Sequence, residues 1–192
     1  MTLTTQAQAL VAEWVTSEVL RKHCGAVAAS MAYLAAKHGA DVDVWEATGW
    51  LHDMDYERHP SLVDAENAHP FVGVRYLREH GWSEDICRAI LSHADYSGVS
   101  RDSQLEKTLF AVDELSSFVV AVALVRPSKN IADVDLAAVK KKMKDKGFAR
   151  AVNRDDILNG AAGLGIDVDE LIADVIAALS ARAQPLGIAG VS

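Results

Sequence analysis

An all-helical fold is what the sequence predicts, and three observations predict it. Apolar residues recur at steps of three and four along most of the chain, the period of an amphipathic helix. Glycine and proline interrupt those runs at Gly39, Gly81 and Pro127, where helices end rather than where strands turn. Period-two alternation with β-branched residues is almost absent. The chain has 192 residues, half of them apolar, enough to bury the core of a single domain. We expect one domain over residues 1–192, with a core at about 17–126 and a C-terminal helical extension at about 127–184 closing over it.

The elements follow in order. Residues 4–15 form a short amphipathic helix that ends near Thr16-Ser17. A long helix runs from Glu18 to the stop at Gly39, with His23, Val27, Met31 and Leu34 on its inner stripe. Its alanines keep it thin, so neighbours can approach closely. Asp41 or Asp43 caps a helix over Val44–Met54, where Gly49 costs about 1 kcal/mol against alanine unless a neighbour packs on its bare backbone. After a loop over 57–64, a helix over 65–80 places His69, Val72, Gly73, Tyr76 and Leu77 inward. Ser83 caps a shorter helix that reaches His93. A polar loop over 94–103 precedes an apolar helix over 104–125, where Leu105, Leu109, Asp113, Ser116 and Val120 align. A carboxylate on that buried face needs a partner. Beyond Pro127 come a basic helix at 136–146 and a short segment at 153–160. A last helix follows at 168–182, introduced by Asp167 and Glu170 at capping-box spacing. The tail after Pro185 is expected to fray.

Composition narrows the classes of function. A net charge of −8 leaves no broad basic face, so no DNA partner is expected. The run Lys140 to Lys146 is read as a solvated helix face. Cys24 and Cys87 lie in apolar contexts without a CxxC and read as free buried thiols of a reducing compartment. The longest apolar run, Phe118–Val125, is too short for a membrane span, and the N-terminus has no signal pattern. A cytoplasmic location without membrane association is therefore expected, with a homodimer as one oligomeric option.

Six ionisable residues carry the chemistry: His23, His52, Asp53, His69, His93 and Asp113. Each falls on the inward side of a predicted helix or at a helix end. Four imidazoles and two carboxylates suit a borderline divalent ion such as iron, manganese, cobalt or zinc, and suit magnesium less well. Adjacent residues diverge by about 100° around a helix, but at a helix end His52 and Asp53 can both reach one ion. The two oxygens of Asp53 allow it to span two ions, which together lower the pKa of a shared water.

The ordered set of a histidine, a His-Asp doublet and a later aspartate resembles the HD superfamily of metal-dependent phosphohydrolases. Its small bacterial hydrolases are the most similar group. The resemblance rests on Leu51-His52-Asp53-Met54-Asp55-Tyr56, on His69-Pro70 with Gly73 and Leu77-Arg78-Glu79, and on Ala89-Ile90-Leu91-Ser92-His93. It continues through Ala111-Val112-Asp113-Glu114-Leu115 and 123–129, and covers most of the chain from His23 onward. It implies that His23, His52, Asp53 and Asp113 hold a first ion. It also implies that His69 and His93 add a second, bridged by Asp53. The phosphodiesterase branch reads His-Asp-Ile-Gly-Lys; here Asp55 and Tyr56 replace its glycine and lysine, so the phosphate-binding lysine is missing from that spot. Lys107 occupies a position that is basic in related sequences, and Arg126, Lys129 and Asp55 are further candidate substrate contacts.

The expected activity is hydrolysis of a small phosphorylated molecule, a nucleotide or another phosphomonoester, by a hydroxide generated on one or two divalent ions. Asp53, His52 and Lys107 are the expected catalytic residues. Two alternatives stay open at this point. One is a di-iron oxygenase, although Glu13 and Trp14 stand where organophosphonate-cleaving members carry a tyrosine. The other is a non-catalytic, metal-stabilised sensing module.

Overall fold

Around the second helix, α2 (Glu18–His38), the other elements are stacked. Ser17 accepts the Leu20 N–H at its start, and Gly39 ends it in the left-handed conformation. In this computed structural model, which describes residues 1–61 and 66–190, the described residues form ten α-helices and no strand beyond an isolated bridge between Asn130 and Ala189. The fold is the all-α bundle that the periodicity predicts.

On one side of α2 pack α1 (Leu3–Trp14), α3 (Val42–Leu51), α4 (Phe71–Glu79) and α5 (Glu84–His93), around Val11, Leu51, Met54, Leu77 and Ile90. On the other side, α6 (Gln104–Leu124) is covered by α7 (Leu136–Met143), α8 (Arg154–Leu164) and α9 (Val168–Ala181), while α10 (Ala183–Leu186) packs on α2 and α9. Met31, Leu34, Leu109, Leu115, Phe118 and Ile157 fill that half of the core. Gly49 is where α2 and α3 touch: a Cβ there would sit 2.6 Å from Ala28 Cα. The expected close approach is thus real. Cys24 and Cys87 are free and buried, as the sequence suggests.

Several boundaries differ from expectation. α3 stops at Leu51 rather than Met54, and 52–58 are successive turns, with Met54 N–H donating to Leu51 O and Tyr56 N–H to Asp53 O. α4 begins at Phe71; the earlier start expected at 65 lies outside the described residues, and 66–70 are turns or bends. Pro70 has no N–H and disfavours helical backbone in His69 before it, so the apolar spacing overreached. α7 ends at Met143, where Asp145 accepts the Gly147 N–H and turns the chain away. α8 runs four residues past Gly160, to a left-handed Gly165. Asp167 caps α9 through Asp169 N–H, but Glu170 pairs with Lys37 instead of closing a capping box. The capping box belongs to α6, between Ser103 and Glu106. The tail does not fray up to Gly190: Ile188 is fully buried and its carbonyl accepts the Ile131 N–H at 2.8 Å.

Candidate metal centre

Five elements deliver six side chains to one place. His23 comes from the second turn of α2 and Asp113 from the middle of α6. His52 and Asp53 stand on the turn that ends α3, His69 precedes α4, and His93 is the last residue of α5. The early end of α3 matters here, because tight turns bring neighbouring side chains to one centre where a continuing helix would spread them.

The donors fall into two groups. His23 Nε2 lies 3.0 Å from His52 Nε2 and 3.2 Å from Asp113 Oδ1, and His52 Nε2 lies 3.4 Å from Asp113 Oδ1. His69 Nε2 lies 3.3 Å from His93 Nε2. Asp53 stands between them: Oδ2 is 3.3 Å from His23 Nε2, while Oδ1 is 3.3 Å from His69 Nε2 and 3.6 Å from His93 Nε2. Two donors held about 2.1 Å from one ion are separated by about 3.0–3.4 Å, so both groups have ligand spacing.

The outer ring nitrogens fix which way the inner ones face. A carbonyl only accepts, so His52 Nδ1 carries the hydrogen it donates to Gly49 O at 2.7 Å, and His93 Nδ1 donates to Ile90 O. His69 Nδ1 donates to Asp55 Oδ1 at 2.7 Å, and His23 Nδ1 meets Ser117 Oγ at 2.7 Å. In neutral His52, His69 and His93, Nε2 therefore offers a bare lone pair to the centre. Three lone pairs and two carboxylates within 3.6 Å repel one another unless positive charge lies among them. This donor set fits divalent metal.

The metal-free electrostatics say the same. Burial pulls the His23 pKa down, but hydrogen bonds to Asp113 and Asp53 outweigh it and raise it to about 10. Burial pushes Asp53 and Asp113 up, and the surrounding histidines, His52 foremost, hold both carboxyls below their ordinary range. A proton on His23 stands in for the cation.

The centre opens into a cavity of about 910 Å³. Its walls include Tyr56, Tyr96 and Phe110, along with the carboxylates of Glu57, Asp95, Glu114 and Asp156. No lysine or arginine lines it among the described residues. Burial, with the charge of Asp113 beside it, pushes Glu114 up to about 7.

The structure brings His23, His52, Asp53, His69, His93 and Asp113 together and leaves the other candidates outside. Asp55 does not face the cavity: it is buried, accepts the Gly73 N–H at 2.6 Å and holds His69. Any Cβ on residue 73 would lie 2.9 Å from the Asp55 carboxyl carbon, so that position needs glycine. Arg126 and Lys129 lie beyond the end of α6, which is about 16 Å along the helix axis from Asp113. Lys107 lines a neighbouring, smaller cavity. Sequence reasoning missed Ser117, although it follows Asp113 by one helical turn, and Tyr96, whose hydroxyl donates to His69 O at 3.0 Å.

Comparison with known proteins agrees with this centre. Ribonuclease Y of Cutibacterium acnes (strain DSM 16379 / KPA171202) is 33% identical over 73 residues, which are 38% of this chain and 13% of that protein. The chain therefore spans a small part of the length of the relative it matches. No solved structure matches. The HD domain family model matches residues 20–118, just over half of the chain, and takes in His23, the His52-Asp53 doublet, His69, His93 and Asp113. The chain belongs to the HD domain family.

Proposed function

We propose that this protein is a two-metal phosphohydrolase acting on a small phosphomonoester, nucleotides included. His23, His52 and Asp113 would hold one ion, and His69 and His93 the other. Asp53 would give one oxygen to each. The observation that carries this reading is the position of Asp53, whose two oxygens face two different donor groups at ligand spacing. Iron, manganese, cobalt and zinc all suit four imidazoles and two carboxylates.

When bound, the ions supply Lewis acidity, lowering the pKa of water and neutralising phosphoryl oxygens. The side chains do the rest. Gly49, Ile90 and Asp55 lock three imidazoles in the tautomer that presents Nε2 inward. Tyr56, Tyr96 and Phe110 wall the cavity and give it an aromatic surface for substrate. Asp113 and Asp53 act as ligands rather than bases, because both already serve the histidines.

Two further points support hydrolysis. The family is one of metal-dependent phosphohydrolases, and the relative is named a ribonuclease. RNA itself is not the substrate proposed, since the cavity wall is acidic and a polyanion would be repelled. The oxygenase alternative is disfavoured by Trp14, which packs on Tyr76 with ring centroids 4.8 Å apart and does not line the cavity. The test is phosphate release from a panel of phosphomonoesters by manganese-loaded protein, with oxygen uptake followed in parallel on the iron-loaded form. Release that stops on chelation supports the proposal; oxygen consumption without phosphate release overturns it.

A further inference from the structure

A second cavity, of about 240 Å³, adjoins the metal cavity and shares Asp95 and Phe110 with it as a common wall. Its other lining residues are Arg101, Lys107, Asn159, Gly160 and Gly163. Its charge is opposite in kind to that of the main cavity, which has carboxylates and no cation.

The two basic side chains of this pocket differ. Arg101 is committed: it pairs with Asp95, donates to Ser92 O at 2.7 Å, and its guanidinium lies 3.5 Å over the Phe110 ring. Lys107, on α6, is only partly exposed, and among the described residues no hydrogen bond or ion pair engages its ammonium. An ammonium without a counter-ion is free to pair with an anion. Opposite it, α8 presents glycine: a Cβ on Gly163 would meet nothing within 4 Å. The pocket thus has an unpaired cation across from a bare stretch of α8, and it shares two lining residues with the metal cavity.

Two arginines adjoining residues of the main cavity, Arg58 beside Glu57 and Arg154 beside Asn153, are engaged elsewhere. Arg58 donates to Glu13 O and lies over Trp14, and Arg154 donates to backbone carbonyls that include Val152 and Ala149. A second anionic group on a substrate held at the metals would find repulsion in the main cavity and attraction at Lys107.

We propose that the pocket around Lys107 is an anion subsite, and that the preferred substrates carry a second anionic group, a carboxylate or another phosphate, besides the phosphoryl group that reacts. This rests on the metal-centre reading above. Lys107 is then a substrate-positioning residue rather than a metal ligand or proton donor.

The test uses the manganese-loaded full chain with 3-phosphoglycerate and fructose 1,6-bisphosphate, each set against its singly anionic counterpart, glycerol 3-phosphate and fructose 6-phosphate. At least one doubly anionic probe should be preferred in kcat/KM by about tenfold, the effect of one favourable charge contact, and chiefly through KM. Lys107→Gln should collapse that preference towards unity, and Lys107→Arg should restore most of it. A preference unchanged by Lys107→Gln, or no preference in wild type, overturns the subsite. Calorimetric titration of the same four probes separates this from the hydrolase proposal. If no ester is hydrolysed but Lys107-dependent affinity for a doubly anionic probe persists, the hydrolase reading falls and the subsite stands. If turnover occurs without it, the reverse holds.

Discussion

Replacing Asp55 by asparagine tests how the second donor group is held. Asp55 accepts two hydrogen bonds, from His69 Nδ1–H at 2.7 Å and from Gly73 N–H at 2.6 Å. An asparagine has nearly the same shape but only one acceptor oxygen. If that oxygen faces His69, the amide N–H₂ opposes the Gly73 N–H. If it faces Gly73, the N–H₂ opposes His69 Nδ1, which must give up its hydrogen to Nε2 and lose its lone pair at the metal. One donor is stranded in either orientation, at a buried position. A lost hydrogen bond to a charged group costs about 1.5–3 kcal/mol. Orienting partners of ligand histidines are typically worth about 10–100-fold in metal affinity, which is about 1.4–2.7 kcal/mol, so the two routes agree. The loss should fall on the group of Asp53, His69 and His93, and spare that of His23, His52 and Asp113. Competition against a chromophoric chelator would resolve two affinities in wild type, and in Asp55→Asn only one of them should weaken. Wild-type affinity at both positions would refute the reasoning.

Three other expectations follow from the same geometry. Gly49→Ala gains about 1 kcal/mol of helix propensity but drives a Cβ to 2.6 Å from Ala28 Cα, so a net loss of about 2 kcal/mol is expected in urea unfolding. Ile188→Ala should cost about 2–4 kcal/mol in the same assay, because the tail is docked; a frayed tail would show almost no change. Metal uptake should release protons. His23 is raised to about 10 without metal, so it is protonated at neutral pH, whereas ligation needs the bare nitrogen. Affinity should therefore rise with pH, by about tenfold per unit while His23 remains protonated, and level off above its pKa. A pH indicator in weak buffer would register the proton, and pH-independent affinity with no release would contradict the assignment.

Much of the fold was legible because its signals are local. Ser17 and Gly39 bracket α2, and Ser83 starts α5, by capping chemistry that needs no tertiary partner. The misreadings come where tertiary contacts override local pattern. The apolar spacing that carried α3 on to Met54 is genuine, and Met54 is buried, but it is buried from a turn. Ile188 looked like part of a frayed end because what covers it comes from residues more than fifty positions away. The six clustered residues were readable because histidine and aspartate are conspicuous on apolar faces. Their partners were not: Ser117 resembles any helix serine, and its neighbour Ser116 turns inward to Ser30 instead. The charge of the cavity was also hidden in the sequence, since Asp156 reaches it from α8, and Lys107 proved to belong to the adjoining pocket.

The central claim is that Asp53 joins two groups of donors into one two-metal centre, and metal content per chain tests it most directly. Elemental analysis after exposure to iron, manganese, cobalt or zinc and removal of excess ion should give two ions per chain in wild type, and a loss of metal in Asp53→Ala. A wild-type chain that stays metal-free with every ion, or an Asp53→Ala chain that keeps both ions, would contradict it.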